Sequence, residues 1–236
     1  MRAFCCLILL ISVLSCSQKS TKEIDNKKKY FSRVTERISI HRKDANTLNA
    51  KGDIENEEKQ YDSIRNLIKG AYVNDYTFYD IDSNEYSLKN REKPILLLAT
   101  ASWCKPCISE IPALNKISKE YSDKIDIVLL FWDESNKLKK IVSRYDKNIV
   151  LIPSTKEAKN GYELNISGFS HILGFPTRYL VNKNKKIINY YTGGYVPYAK
   201  FTNQNGEETF FTEEEVFIKN YSKLKEEVNE LLSPHS

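Results

Sequence analysis

The sequence predicts an α/β fold in which a central sheet is flanked by helices. Residues 93–101 and 124–133 form two largely continuous apolar segments, as expected of strands that are buried on both faces. Each segment is followed by residues with helical periodicity, and the chain ends in a predicted hairpin and a last helix. This alternation is typical of one sheet with helices packed on its faces.

The composition suits one globular domain with some additional chain. Of the 236 residues, 41% are hydrophobic and 28% are charged. The formal net charge is +5, but basic and acidic residues are interleaved along most of the sequence. This balance indicates a solvated surface and argues against a nucleic-acid-binding protein.

The first 15 residues predict an export signal. Arg2 precedes an uncharged apolar run that is too short to span a bilayer comfortably and fits the core of a signal peptide. Residues 13–16, Val-Leu-Ser-Cys, resemble the lipobox of bacterial lipoproteins, which implies cleavage before Cys16 and lipidation of Cys16. By that resemblance, residues 1–15 are a lipoprotein signal peptide and the protein is anchored in the cell envelope, on the periplasmic side. An ordinary signal peptide and an uncleaved anchor are the alternatives.

Two further segments precede the predicted domain, which spans residues 72–236. Residues 16–52 are rich in Lys, Ser, Thr, Asn and Asp, which predicts a polar tether. Residues 53–71 carry apolar side chains at near-helical spacing and end near Gly70. They predict an amphipathic helix that leads into the domain.

Within the domain, strands and helices alternate. A polar, weakly helical stretch is expected before Leu164, and the aromatic side chains of residues 195–211 are expected to pack against the last helix. In chain order, the predicted elements are strand 76–82, strand 93–101, helix 108–121, strand 124–133, helix 134–145, strand 148–154, hairpin 177–194 and helix 212–232.

The positions of the five cysteines limit the possible chemistry. Cys5 and Cys6 lie in the predicted signal peptide and Cys16 at the predicted lipidation site, which leaves Cys104 and Cys107 as thiols. Zinc needs about four ligands, and none of the histidines has the spacing of a zinc finger, so we expect no metal site. A disulfide that closes so short a loop restrains little chain, which favours a redox role over a structural one.

The Cys-x-x-Cys motif lies where a buried strand turns into a helix. Unpaired backbone N–H groups and the macrodipole give the first helical turn a positive potential, which stabilises a thiolate on Cys104. The charge of Lys105 acts in the same direction, and Pro106 is compatible with a first turn. Cys107 lies one turn along, within reach of a mixed disulfide at Cys104. The position predicts Cys104 as the exposed nucleophile and Cys107 as the resolving thiol.

The sequence Trp-Cys-Lys-Pro-Cys after a buried strand resembles the active site of the thioredoxin superfamily. Pro112 matches the proline inside the family's active-site helix. Residues 175–177, Phe-Pro-Thr, resemble the cis-proline segment that faces the two cysteines and exposes backbone to a bound polypeptide. Residues 193–194, Gly-Gly, also fit the pattern. The resemblance covers residues 72–236 and implies a thioredoxin fold.

The same resemblance implies the site's composition. The redox group is a disulfide between Cys104 and Cys107, with no further cofactor. The side chains expected to contact a substrate are Trp103, Lys105, Pro106, Phe175, Pro176 and Thr177.

Within the superfamily, the chain is most similar to the exported TlpA/ResA-like branch. That branch has an N-terminal strand extension and a central βα insertion, which residues 134–172 match. Glu110, three residues after Cys107, matches an acidic residue that ResA-like members carry near the disulfide, whereas Leu98 stands where thioredoxin has a buried Asp. We therefore expect Glu110 to handle the proton of Cys107. A solvent-facing carboxylate that only favours the helix dipole is the alternative.

The leading functional prediction is a thiol-disulfide oxidoreductase that reduces protein disulfides. The Cys-x-Pro-Cys spacer resembles the reducing members, and such relatives take electrons from a membrane-embedded thiol-disulfide donor. The expected partners are a disulfide-containing protein, that donor, and the membrane through the lipid anchor. One alternative is a copper carrier that uses both thiolates and His171, although the known carriers of this fold have a three-residue spacer. The other is a surface lipoprotein with a purely structural disulfide.

Overall fold

The computed structural model describes residues 28–89, 91–161, 163–202 and 206–234. The predicted signal peptide, Cys16 and the first part of the predicted tether lie outside these residues. Among the residues described, no helix combines the length and the apolar composition that crossing a bilayer requires.

The described residues contain helices of very different lengths and mostly short strands. The helices are α1 Phe31–Ala50, α2 Ile54–Ile68, α3 Lys105–Tyr121, α4 Ser135–Leu138 and α5 Glu213–Leu231. The strands are β1 Thr77–Tyr79, β2 Glu85–Ser87, β3 Ile95–Thr100, β4 Asp126–Glu134, β5 Ile149–Ser154, β6 Lys159–Asn160, β7 Glu163–Ile166, β8 Phe169–His171, β9 Thr177–Val181, β10 Ile187–Thr192, β11 Lys200–Thr202 and β12 Glu208–Phe210.

A five-stranded mixed sheet forms the centre of the fold, in the order β10-β9-β3-β4-β5. Strands β3, β4 and β5 are parallel, whereas β9 runs antiparallel to β3 and β10. Every residue of β3 is buried, because both faces of the sheet are covered. The predicted fold class, a central mixed sheet with helices on its faces, is confirmed.

Alternate side chains of the central strands divide the core between the two faces. Leu96 and Leu98 point toward the face that α3 and α5 cover, and Leu224 of α5 packs there. Leu97 and Val128 point toward the opposite face, where they pack with residues of α1, α2 and β8. The helix α5 begins with a capping box at Thr212, close to where the sequence predicts the last helix to start.

The predicted strand extension is a hairpin of β1 and β2 that precedes β3. The predicted hairpin of residues 177–194 is formed by β9 and β10, with Lys185 at positive φ in the turn. Residues 195–211 contribute the small hairpin of β11 and β12. In this segment Tyr195 and Phe211 lie against the ammonium group of Lys219 of α5, whereas Tyr198 and Phe210 are exposed, so the expected packing on the last helix holds for only part of the segment.

The structure corrects the predicted tether of residues 16–52, because Phe31–Ala50 is a helix of 20 residues. Phe31, Val34 and Ile38 are buried and recur at helical spacing, although the composition around them is polar. The ring of Phe31 stacks on Phe169 with centroids 5.3 Å apart. A narrow apolar stripe is enough to hold this helix on the domain, and the average composition conceals it.

The structure also corrects the helical content predicted for residues 134–172. The helix predicted over 134–145 is a single turn, α4, followed by a 3-10 turn, because Leu138 is the only buried side chain in it. The stretch expected to be weakly helical contains β6 and β7, which form a three-stranded antiparallel sheet with β8. Leu164 and Ile166 alternate with exposed residues, as a half-buried strand requires.

Candidate active site

Cys104 and Cys107 are joined by a disulfide at the start of α3. Cys104 is the N-cap residue of this helix, and the Cα atoms of the two cysteines lie 5.2 Å apart. The Sγ atom of Cys104 accepts a hydrogen bond from the backbone N–H of Cys107 at 3.3 Å. The helix N-terminus therefore stabilises negative charge on the Cys104 sulfur when the disulfide is reduced.

Both cysteines are largely buried in this oxidised form. Cys104 is 5% exposed and Cys107 is 3% exposed, so the prediction of an exposed Cys104 is wrong for the oxidised state. Ala101, Trp132 and Phe175 pack around the pair. Apolar side chains thus shield the sulfurs from water on the side where the sheet and the cis-proline loop meet.

The predicted substrate residues of the motif lie at the surface beside the disulfide. Trp103 is 61% exposed, and its ring packs edge-on against Phe175 with centroids 5.8 Å apart. Lys105 is exposed and Pro106 is half-buried, both in the first turn of α3. Pro112 lies inside the same helix, as predicted. These positions leave Trp103 and Lys105 accessible to a docked polypeptide.

The loop before β9 carries the predicted cis peptide bond, between Phe175 and Pro176. Within the described part of the chain, no group hydrogen-bonds the backbone N–H or C=O of Phe175. Thr177 is fully buried and its hydroxyl donates to the carbonyl of Gly174 at 2.8 Å, so Thr177 supports the loop and does not face a substrate. Phe175 therefore offers an open donor and acceptor beside the disulfide.

His171 is a structural residue of this loop. Its Nε2 donates to the carbonyl of Gly174 at 2.8 Å, which makes Nδ1 the acceptor of the hydrogen bond from the Tyr179 hydroxyl at 2.9 Å. Burial lowers the pKa of His171 to about 4, so the ring is neutral at physiological pH. Both nitrogens are occupied, which leaves none to ligate copper beside the cysteines.

Glu110 is buried, contrary to the alternative of a solvent-facing carboxylate. It lies one helical turn after Cys107 on α3, and its carboxylate accepts a hydrogen bond from the Nη1 of Arg178. The same Nη1 also donates to the carbonyl of Gly193 at 2.9 Å. An ion pair therefore connects the active-site helix to β9, the strand that follows the cis-proline.

Arg178 makes a second, bidentate ion pair with Glu227 of α5. Its Nε lies 2.7 Å from Oε2 of Glu227 and its Nη2 lies 3.0 Å from Oε1. Arg178 has no exposed surface, and Glu110 and Glu227 are each 2% exposed. The buried cluster thus contains one guanidinium and two carboxylates, with the half-buried ammonium of Lys223 nearby.

Burial dominates the electrostatics of Glu110. Desolvation raises the pKa of Glu110 to about 7, against the opposing effect of Arg178 and with the support of the Glu227 charge. The packing around the carboxylate is tight, because a Cβ atom on Gly194 would lie 2.8 Å from Oε1 of Glu110. Glu110 is therefore fixed in place and poised to exchange a proton near neutral pH.

Residues 68–204 match the Redoxin family. The chain belongs to the Redoxin family. This match covers β3, the disulfide, the cis-proline loop and β10, but it begins at the last residue of α2.

Curated relatives of this redoxin carry names that agree with the predicted ResA-like branch. Over 130 residues the chain is 27% identical to "Thioredoxin-like protein YneN" of Bacillus subtilis, covering 53% of this chain and 72% of the relative. Over 122 residues it is 27% identical to "Thiol-disulfide oxidoreductase ResA" of Bacillus thuringiensis, covering 50% of this chain and 66% of the relative. The predicted family and enzyme class, a ResA-like thiol-disulfide oxidoreductase of thioredoxin fold, are thereby confirmed.

A solved structure is similar to this redoxin over much of its length. The crystal structure of a putative thiol:disulfide interchange protein DsbE from Chlorobium tepidum has 18% sequence identity and a TM-score of 0.47. The similarity covers 70% of this chain and 98% of that chain.

An apolar groove opens beside the disulfide of this redoxin. It has a volume of about 300 Å³, and its walls include Trp103, Trp132 and Phe175. The rings of Trp132 and Phe175 pack edge-on with centroids 5.8 Å apart.

Within the described ranges, no group of three His, Cys, Asp or Glu side chains is arranged to hold a metal ion.

Three buried charged residues of the site are not among those that the sequence predicts. Arg178 and Glu227 are two of them, and Asp133 is the third. The buried carboxylate of Asp133 accepts hydrogen bonds of 2.6 Å from both the backbone N–H and the hydroxyl of Ser102. It thereby ties the end of β4 to the loop that carries the cysteines. Of the three, only Arg178 has a signal in the sequence, because it interrupts the apolar run of β9. Asp133 lies at the polar end of β4 beside Glu134, and Glu227 lies among charged residues of α5.

Proposed function

We propose that the protein is a cell-envelope thiol-disulfide oxidoreductase that reduces disulfides in protein substrates. The observation that carries this proposal is the Cys104–Cys107 disulfide at a helix N-terminus, beside a cis-proline loop with open backbone groups at Phe175. A nucleophilic thiolate and an edge for pairing with a polypeptide are the two features that exchange with a protein disulfide requires.

The reaction takes two exchange steps from the reduced protein. The Cys104 thiolate attacks one sulfur of the substrate disulfide, a mixed disulfide forms, and the other substrate sulfur leaves as a thiolate. The Cys107 thiolate then attacks the Cys104 sulfur, which forms the Cys104–Cys107 disulfide and releases the second substrate thiolate. Two electrons pass to the substrate. A membrane thiol-disulfide donor restores the dithiol by the same exchange in reverse.

Glu110 serves as the proton acceptor for Cys107 in this proposal. Cys107 must lose its proton before it attacks the mixed disulfide, and a buried carboxylate that exchanges a proton near neutral pH is suited to receive it. The spacing of three residues along α3 places the two side chains on the same side of the helix. The Cys104 sulfur needs no such base, because the helix N-terminus stabilises its thiolate.

The residues that border the disulfide contact the substrate in this proposal. Trp103 and Phe175 line the apolar groove, while Lys105 and Pro106 lie on the adjacent helix turn. The backbone of Phe175, held by the cis bond to Pro176, supplies the hydrogen bonds to an extended segment. This arrangement binds backbone and apolar side chains, as a reductase of proteins needs.

We also propose that the protein is attached to the membrane through a lipid on Cys16. The lipobox-like sequence before Cys16 supports this attachment, and fewer than 20 residues separate Cys16 from the start of α1. Metabolic labelling with a radioactive fatty acid tests it. Label should enter the wild-type protein and be lost in the Cys16→Ala variant.

Trapping of the mixed disulfide tests the catalytic proposal. In cells that express the Cys107→Ala variant, substrates should accumulate in covalent adducts with Cys104 that reducing agent releases. The double variant Cys104→Ala/Cys107→Ala is the matched control and should give none. If no adduct forms and insulin disulfides resist the pre-reduced wild-type protein, the proposal is wrong.

A further inference from the structure

Apart from its last residue, Ile68, the helical hairpin of α1 and α2 lies outside the part of the chain that matches the Redoxin family. The match begins at residue 68, whereas the hairpin occupies residues 31–68. One side chain of the hairpin, Arg42, nevertheless lines the apolar groove beside the disulfide, together with Trp103 and Phe175. A segment that precedes the matched part of the chain thus forms part of the candidate active site.

The hairpin is held firmly against the domain. Phe31 of α1 packs on Phe169 and, edge-on, on Tyr179 of β9, with the latter centroids 5.5 Å apart. Ile38 is fully buried in the same cluster. The Nδ1 of His41 lies 2.8 Å from Oε1 of Gln60, which joins α1 to α2 one residue before Arg42. The position of Arg42 at the groove is therefore set by packing.

Arg42 has no carboxylate partner within the parts of the chain that the structure describes, although it is half-buried. It lines the apolar groove on one side and a polar depression of about 430 Å³ on the other. The polar depression also contains Lys43 and Asn160, and its one carboxylate, Glu163, accepts a hydrogen bond from Ser170. The groove consequently has aromatic walls and a cationic end.

Two aromatic walls of the groove pack against the redox centre. Trp132 and Phe175 pack on the cysteine pair and also line the groove. A polypeptide whose cysteine is joined to Cys104 would therefore place neighbouring side chains along these aromatic walls. A residue a short distance farther along would reach the guanidinium of Arg42.

We propose that the hairpin is a substrate-specificity element, in which Arg42 binds a carboxylate of the substrate polypeptide. The preferred substrate carries an aromatic or aliphatic side chain next to its reactive cysteine and an Asp or Glu a few residues away. An arginine presents planar, paired donors that match a carboxylate, and its half-buried site strengthens the contact. This inference rests on the proposed reductase function.

Synthetic peptides test the inference. Each peptide contains a Phe-Cys pair with the cysteine joined to thionitrobenzoate, and a set carries Glu at successive positions from one to four residues from the cysteine. A matched set carries Gln. The second-order rate constant for release of thionitrobenzoate by the pre-reduced protein is measured for both sets. We expect the wild-type protein to prefer the best Glu peptide over its Gln counterpart by about tenfold, the size of one charge-assisted contact at a half-buried site.

Substitutions in α1 distinguish a loss of substrate recognition from a general loss of activity. Arg42→Gln should reduce the Glu-to-Gln rate ratio to near unity, and Arg42→Glu should invert it. Arg37→Gln, at an exposed position of the same helix, is the control and should keep the wild-type ratio. The wild-type preference should also decrease as salt is added.

The possible outcomes distinguish failure of the specificity proposal from failure of the reductase proposal. A ratio that Arg42→Gln lowers and Arg37→Gln preserves supports the inference. A wild-type protein that reduces insulin but shows no preference at any Glu position overturns the inference and leaves the reductase proposal standing. A wild-type protein that reacts with neither insulin nor any peptide overturns both.

Discussion

Replacement of Arg178 by methionine should destabilise the fold strongly. The substitution removes the hydrogen bonds from the guanidinium to Glu110, Glu227 and the Gly193 carbonyl. It leaves two buried carboxylates without their counter-charge, and removal of one partner from a buried ion pair costs about 3–5 kcal/mol. Small domains have a free energy of unfolding of about 5–15 kcal/mol, so the loss is a large fraction of the total.

Denaturant unfolding of the oxidised protein at neutral pH measures this loss. Arg178→Lys keeps the charge but not the bidentate geometry, and should lose less stability than Arg178→Met. The triple variant Arg178→Met/Glu110→Gln/Glu227→Gln removes the charges that Arg178→Met leaves unpaired, and should recover much of the loss. If Arg178→Met costs less than about 1 kcal/mol, or if the triple variant is no more stable than Arg178→Met, the cluster does not stabilise the fold as we argue.

Three further substitutions test other parts of the structure. In the wild-type protein, the pKa of Glu110 is raised to about 7 in the folded state, so its contribution to stability is full below the unfolded pKa and is lost as the pH rises through 7. The free energy of unfolding should therefore decrease by up to about 3 kcal/mol between about pH 4.5 and pH 7, and Glu110→Gln should remove this decrease. If the wild-type protein and the variant show parallel curves of unfolding free energy against pH, this reasoning is wrong. Gly194→Ala should cost about 1–3 kcal/mol by thermal unfolding, since its Cβ would lie 2.8 Å from Oε1 of Glu110, and an unchanged melting temperature would contradict this. Phe31→Ala should lower the free energy of unfolding by about 3–5 kcal/mol, because the ring fills a buried site between Phe169 and Tyr179. The variant should also expose α1 to proteolysis, and an α1 that stays protected would contradict this.

The sequence predicts the central sheet well because the physical signal is local and strong. The apolar runs around Ile95–Thr100 and Asp126–Glu134 have no alternative to burial on both faces. The cysteine motif follows one of these runs directly, so its place at a strand-to-helix turn can be inferred without knowledge of tertiary contacts. The last helix is equally well marked, by Thr212 and an apolar stripe.

Features that depend on distant contacts are the ones that sequence patterns miss. The helix Phe31–Ala50 is polar on average, and its stripe is recognisable only when Phe169 and Tyr179 are known to lie opposite Phe31. In the same way, Arg178 in an apolar strand has no local explanation. Its partners lie 68 and 49 residues away along the chain, at Glu110 and Glu227.

The cluster of Arg178, Glu110 and Glu227 lies close in sequence to both parts of the active site. Glu110 follows Cys107 by three residues on α3, and Arg178 follows Pro176 by two residues on β9. The disulfide and the cis-proline loop belong to separate elements, and the ion pair between Glu110 and Arg178 connects those elements directly behind the site. Because Arg178 also holds Glu227 of α5, any shift of α3 against β9 would separate buried charges, which is costly in a medium of low dielectric constant. The cluster therefore keeps the sulfurs and the open backbone of Phe175 in a fixed mutual arrangement, and it also fixes the position of Glu110, the carboxylate that we propose as the acceptor of the Cys107 proton.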